Sequence, residues 1–388
     1  MSKHNIYILN YWWAANYGAI LTAYALQETI LNYNENVYCA KNTDNIQLLT
    51  ESRYNFHEIF TSKYIQQKEI TTSTNDIYIV GSDQVFRPIL NKRIADTFLL
   101  DFADINSKKI AFSASFGISK EKFLKENSQL VIEKIKNALK TFDFVSIREK
   151  IGVEICKDIL GVSAEWIIDP VFILEKSKYE SLIQNSTKDY SNKIVGYLIN
   201  QQNRLNKYNR EKIIQLADSN ETVENWLSAI KNCKLLITDS FHGMCFALIF
   251  NKPFICVVNP HAGSARYDSV FELLGIENQC IENINQIYKK DCIFKVDYGV
   301  VNKRIEEECQ KGLDFLKMAL EAPVQVTQEK FDSRVKFLEN KVCELEQQTN
   351  LKYQIKKELW NLWLIIFHKY MPEPVKKMIR FVRDRLCK

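Results

Sequence analysis

The sixteen residues from Leu235 to Phe250 constrain this chain more than any other segment. They run from an apolar strand (Leu235-Leu236-Ile237-Thr238) through a polar turn with one histidine (Asp239-Ser240-Phe241-His242-Gly243) into an apolar helix. A strand this apolar belongs in a buried parallel sheet, and the turn that follows lies at the carboxyl edge, where open α/β sheets bind ligands. The first backbone N–H groups of the next helix have no intrahelical partner and carry partial positive charge, so an anion is favoured there. His242 is therefore aimed at ligand space. The plainer reading is that Asp239 and Ser240 cap the helix while His242 bonds to the backbone.

Similar units recur along the chain. Ile6 to Leu9 reads as a strand, followed by Asn16-Tyr17-Gly18 and a helix from Ala19 to Leu26. Ile77 to Val80 leads into Gly81-Ser82-Asp83-Gln84, Lys109 to Ser113 into Ser115-Phe116-Gly117, and Phe144 to Ile147 into Arg148-Glu149. After Asp169-Pro170 a second series begins, with Ile194 to Ile199, Leu235 to Thr238 and Phe254 to Val258. At 388 residues and 46% hydrophobic content the chain can fill two cores. The expectation is two tandem α/β domains, 1–170 and 171–325, with a cleft between them. A heptad-like helix over 326–352 and a basic amphipathic tail over 353–388 follow.

Charge and cysteine usage exclude several classes. The net charge of +5 is concentrated at one end: residues 352–388 hold ten Lys/Arg against Glu358, Glu373 and Asp384, leaving −2 on the rest. A near-neutral body with a basic tail is not the footprint of a nucleic-acid binder. The 10 cysteines form no Cys-x-x-Cys pair and no zinc-spaced cluster, which fits reduced thiols in a cytoplasm. Ile6-Tyr7-Ile8-Leu9 is far too short for a signal-peptide core or a membrane span. No Gly-x-Gly-x-x-Gly, no Walker-type loop and no Asp-x-Asp pair occurs, so neither a dinucleotide site nor a metal-dependent nucleotide-sugar site has an anchor.

The turn residues form a set. Arg148, Arg266 and His242, with the hydroxyls of Ser115 and Ser240, suit a small multiply charged anion, because guanidinium forks bind carboxylate or phosphate in a bidentate way. Gly18 and Gly243, at helix starts, complete the donor-side candidates. Each Arg taken singly is more often a surface ion pair. Asp83 and Gln84, with the aromatic faces of Trp12 and Tyr17, are candidates for holding a sugar; stabilising their own turn is the alternative for Asp83 and Gln84, and packing against the sheet the alternative for the rings. No metal ligand set is expected.

In order and spacing these motifs resemble the polysaccharide pyruvyl transferases. The resemblance rests on Asn16-Tyr17-Gly18, Val80-Gly81-Ser82-Asp83-Gln84-Val85-Phe86, Ser115-Phe116-Gly117, Val145 to Lys150, Asp169-Pro170-Val171, and Thr238 to Gly243 through Asn251-Lys252-Pro253-Phe254. It covers about the first 320 residues. It implies a GT-B-like pair of Rossmann-type domains with a central cleft, followed here by a C-terminal helical extension. It further implies pyruvyl transfer from phosphoenolpyruvate to a sugar as a cyclic ketal, with Arg148 and His242 contacting the donor; Arg266 stands where the family commonly carries an arginine. No separate cofactor is implied.

The chemistry asks for the same residue types. Phosphoenolpyruvate carries a carboxylate and a phosphate on three carbons, which two arginines and a helix N-terminus can hold. Its methylene carbon must gain a proton, and a histidine, with a reference pKa of about 6.5, can serve as acid and base. His242 and Arg148 are the catalytic candidates, and Asp239 either orients the imidazole or caps the helix. A metal-independent GT-B glycosyltransferase with a nucleotide-sugar donor is the alternative enzyme, and a non-catalytic membrane-attached scaffold the alternative class.

The last seventy residues depart from this pattern. Phe331, Val335, Leu338, Val342 and Leu345 step by four, three, four and three, a short heptad seam that serves either a homo-oligomer contact or a fold onto its own domain. Leu359 to Phe367 is rich in tryptophan, and Val375, Met378, Ile379, Val382 and Leu386 share one face of a helix whose other face is basic. That combination suits an anionic membrane surface. The expected location is cytoplasmic, peripheral at the inner face of the membrane, with a glycan acceptor that is either lipid-linked or free.

Overall fold

The computed structural model describes residues 4–41, 57–70, 73, 76–88, 95–199, 213–216, 221–258, 264–276, 280–282, 286, 296–347 and 349. Two parallel sheets organise them. The first contains β1 (Ile6–Leu9), β2 (Val37–Ala40), β3 (Gln67–Lys68), β4 (Ile77–Val80), β5 (Lys108–Ala114), β6 (Phe144–Ile147) and β7 (Glu165–Trp166), in the order β3-β2-β1-β4-β5-β6-β7. The second contains β8 (Ile194–Tyr197), β9 (Ile213–Leu216), β10 (Leu235–Thr238), β11 (Phe254–Val257) and β12 (Cys280–Ile281), in the order β12-β11-β10-β8-β9. All neighbouring strands are parallel. This is the GT-B-like α/β architecture that the family resemblance implies.

Burial explains why these strands read as unbroken apolar runs. β1, β4 and β11 are buried at every position, and so is β5, because helices cover both faces. Strand order then places the motifs. In the first sheet the chain moves outward from β1 to β3 and returns beside β1 as β4, with Leu9 level with Val80. In the second it leaves β8 for β9 and returns beside β8 as β10, with Tyr197 level with Thr238. Crevices form outside the carboxyl ends at such reversals. Gly81-Ser82-Asp83 follows β4, and Asp239-Ser240 follows β10.

The two sheets share one aromatic core. The helix Tyr17–Ile30, from the first lobe, sends Tyr17 to stack on Trp226 of the second at 5.2 Å between ring centroids. Tyr197 and Phe246 meet the same indole edge-on, and Tyr24 packs near Tyr179. Ring contacts of this kind add to the hydrophobic gain from burial and fix orientation. An apolar junction holds lobes more rigidly than the polar interfaces usual between domains. The helix Tyr298–Glu321 then crosses back to the first sheet, placing Phe315 against Phe112 and Phe144.

A final helix, residues 328–347, folds onto the first lobe. Phe337 is fully buried, Lys330 pairs with Asp143 at 2.8 Å, Lys134 pairs with Glu344, and Asn137 donates to Asn340 at 3.2 Å. Of the two uses the heptad allows, the docking contact is present, yet it is made by a different face, and the apolar seam points outward. The expected membrane-binding tail at 353–388 lies outside the described residues. Among those that are described, no helix is long and apolar enough to cross a membrane.

Candidate active site

The carboxyl edges of the two sheets converge on one buried polar cluster. His242 is the second residue of the helix Phe241–Ile249, whose N-cap is Ser240; the Ser240 hydroxyl accepts from Gly243 N at 3.2 Å. Gly243 is required there because a Cβ would stand 2.5 Å from Thr238 Oγ1. Across the lobe boundary, a Cβ on Gly18 would come within 2.1 Å of His242 Nδ1. The imidazole therefore lies directly against the first turn of the helix Tyr17–Ile30.

Its hydrogen bonding assigns the tautomer. Thr22 donates its hydroxyl proton to Gly18 O at 2.7 Å, so its oxygen offers a lone pair to His242 Nε2 at 3.2 Å. Nε2 therefore carries the proton in the neutral ring, and Nδ1 is the basic atom. Asp169 Oδ2 lies 3.6 Å from Nε2, an ion-pair rather than a hydrogen-bond distance. Asp239 does not take this role: its Oδ1 accepts from Ile199 N at 2.6 Å, tying together the ends of β8 and β10.

Asp169 is the hub of the cluster. Its Oδ2 accepts from Arg148 Nη1 at 2.6 Å and from Ser82 Oγ at 3.2 Å, while Oδ1 caps the next helix by accepting from Val171 N at 3.1 Å. Burial alone would raise the Asp169 carboxyl, but the neighbouring His242 and the Arg148 charge outweigh it and hold the group well below the usual carboxylate range. Arg148 Nη2 donates to Asp83 Oδ1 at 3.0 Å. Asp83 is likewise pushed up by burial and pulled down further by Arg148, His242 and Arg266, so it too is depressed. Burial disfavours the Arg148 charge, yet Asp169, Asp83 and Glu149 overcome that and keep it cationic.

Phe241 joins the arginines. Its ring lies 4.8 Å from Arg148 Cζ and 5.5 Å from Arg266 Cζ, in cation–π range of both. Arg266 is the second residue of the helix Ala265–Leu274, and its Nε is buried with no hydrogen-bond partner among the described residues. Beneath these groups Glu149 is fully buried: Oε1 accepts from Ser115 Oγ at 3.0 Å, Phe116 N at 2.6 Å and Gly117 N at 2.9 Å. Burial raises the Glu149 carboxyl despite the opposing pull of Arg148.

Several sequence expectations need correcting. Asp169 and Asp83 join the set, balancing Arg148 and accepting from its Nη1 and Nη2 groups. Ser115 is buried and its hydroxyl serves Glu149 instead of facing a ligand. Trp12 is buried and donates its indole N–H to Ala40 O at 2.8 Å. Tyr17 is equally buried and donates its hydroxyl to Glu221 O at 3.0 Å, so neither ring offers a face to a sugar. Gln84 Oε1 accepts from Arg87 at 3.2 Å, and its side chain packs over Gly117. Asp83 belongs to the Arg148 network. Arg148, His242, Arg266, Ser240, Gly243 and Gly18 are brought together.

Asp169, Glu149, Thr22 and Phe241 received no role from the sequence. Asp169 had a signal, since Asp-Pro at a helix start marks a cap, but nothing local shows that its second oxygen turns inward to an arginine 21 residues away. Thr22 is one helical turn beyond Gly18 and carried no signal at all.

Two parallel Rossmann-type sheets, with a histidine and an arginine from different lobes sharing one carboxylate at their carboxyl edges, define a GT-B-like protein with its site at the lobe junction. The chain belongs to the polysaccharide pyruvyl transferase family, whose profile matches residues 16–261. No curated protein matches it. Among solved structures it is similar to a functionally uncharacterised protein from Klebsiella pneumoniae (15% identity over 69% of this chain and 88% of that one, TM-score 0.41). It is also similar to UDP-GlcNAc 2-epimerase from Neisseria meningitidis bound to UDP-GlcNAc (9% identity, 87% and 100% covered, TM-score 0.44). A third is ADP-heptose LPS heptosyltransferase II from E. coli (10% identity, 81% and 99% covered, TM-score 0.30).

Proposed function

We propose that the protein transfers the pyruvyl group of phosphoenolpyruvate to two hydroxyls of one sugar in a bacterial surface polysaccharide, forming a cyclic ketal. The observation that carries this reading is the seating of His242 between Gly18, Thr22 and Asp169. Protonated, the imidazole delivers a proton to the methylene carbon of the donor; cationic character then develops at the adjacent carbon. A sugar hydroxyl attacks that carbon and gives its proton to the imidazole. Phosphate leaves with its bridging oxygen, and a second hydroxyl closes the ring, giving its proton to the departing phosphate. Asp169 stabilises the imidazolium, and such acid–base help is typically worth about 10²–10⁴-fold.

Donor capture falls chiefly to Arg266, whose Nε has no other partner among the described residues, and to the N-terminal N–H groups of the Phe241–Ile249 helix. Arg148, with its charge already balanced, positions Asp169 and Phe241. The basic, tryptophan-rich tail supports a peripheral location at the inner membrane face and a lipid-linked acceptor.

The test is phosphate release from phosphoenolpyruvate in the presence of a glycan panel, comparing wild type with His242→Gln. Turnover should be lost in the variant while its melting temperature and the thermal protection given by phosphoenolpyruvate persist. Protection by nucleotides but not by phosphoenolpyruvate would transfer the assignment to a glycosyltransferase.

A further inference from the structure

We propose that the protein is a dimer, held by a parallel two-stranded coiled coil formed between helix 328–347 of one protomer and the same helix of its partner. The seam residues Phe331, Val335, Leu338, Val342 and Leu345 are all between 40% and 55% exposed, although the helix is docked on its own lobe through Phe337 and Lys330. An apolar row left in water at the 3.5-residue spacing needs a partner with the same period, and this chain supplies one.

The residue types specify the arrangement. With Phe331, Leu338 and Leu345 at d, the a positions are Val335 and Val342. A β-branched residue at a with leucine at d favours two parallel strands. The e positions are Asp332, Glu339 and Glu346, all acidic, and the g positions Arg334 and Lys341, both basic. In a parallel pair each g faces the e of the next heptad, which sets Arg334 against the partner's Glu339 and Lys341 against the partner's Glu346. An antiparallel pair would instead set acidic rows against each other and basic rows likewise. Both basic groups are held at the edge of the seam by Asp101, whose backbone oxygen accepts from Arg334 Nη2 at 2.6 Å and whose carboxylate pairs with Lys341.

Preorganisation makes so short a seam effective. An isolated helix of this length is marginal in water. Here docking has already ordered it, so association does not have to form the helix as well.

Sedimentation equilibrium of the full chain tests the proposal. Wild type should be dimeric, and Leu338→Glu should weaken association by about 100-fold, the scale of losing a buried leucine contact on each helix. Its melting temperature at low concentration should be unchanged, because Leu338 is half-exposed in the protomer. For orientation, Leu345→Cys in a Cys343→Ser, Cys387→Ser background should form a disulfide with its own counterpart under mild oxidation. The proposal is overturned by a monomeric wild type, which would mean that the chain's own tail or a lipid surface covers the seam. A dimer indifferent to Leu338→Glu, or Leu345→Cys that links only to an added Phe331→Cys, would overturn it equally.

Discussion

Replacing Gly18 by alanine tests the geometry of the site with a single methyl group. Gly18 lies in the first turn of a helix with no left-handed backbone requirement, where alanine is ordinarily stabilising by roughly 0.5–1 kcal/mol. The added Cβ, however, would stand 2.1 Å from His242 Nδ1 and 2.3 Å from Cγ, whereas ordinary contact begins near 3.4 Å. The ring must retreat by roughly 1 Å or more, and a displacement of that size at a reacting group costs about 10²-fold in rate. It must also strain its approach to Thr22, now 3.2 Å. The expected result is kcat for phosphate release down by about 100-fold, with a KM for phosphoenolpyruvate changed far less and the far-ultraviolet spectrum unaltered. Wild-type kcat in Gly18→Ala would refute the claim that this close approach sets the position of an imidazole on which the proposed turnover depends.

Three further outcomes follow from the same network. Asp169→Asn removes the carboxylate that Arg148 meets at 2.6 Å, and denaturant titration should show a loss of about 3–5 kcal/mol, the scale for breaking a buried ion pair from one side; a loss below about 1 kcal/mol would refute the pairing. The Asp169 and Asp83 carboxyls sit below their unfolded value, near 3.9, so the stability they add is complete above that pH and drains away as pH falls toward the depressed folded values. Asp169→Asn should therefore flatten the acid limb of the melting-temperature profile, and an unchanged limb would rule this out. Ser115→Ala should cost about 1 kcal/mol of stability with turnover kept, because among the described residues its hydroxyl bonds to Glu149; a large loss of kcat would restore Ser115 as a donor ligand.

The legible part of the fold was the part governed by short-range pattern. β1, β4, β6, β10 and β11 are apolar runs ending in polar or glycine turns, and the structure keeps each within a residue or two of its sequence bounds. β3, β7 and β12 are each two residues long, too brief for any periodicity to show. Within the site, His242, Arg148, Arg266 and Gly18 stood out by residue type and by position at strand ends. Their charge balance did not, because Asp169 and Asp83 reach Arg148 from 21 and 65 residues away.

The sequence by itself determined which segments become strands, that they lie in buried parallel sheets, and that polar chemistry gathers at their carboxyl ends, since all of this follows from side-chain period and turn residues. Only the tertiary structure decided which side chains are spent on one another. Ser115 went to Glu149, Trp12 to a backbone carbonyl, Tyr17 to the junction of the lobes, and the heptad seam to the surface. The reason is that a buried polar group must find a partner wherever the fold supplies one, and the nearest partner in space is set by strand order and lobe packing rather than by separation along the chain.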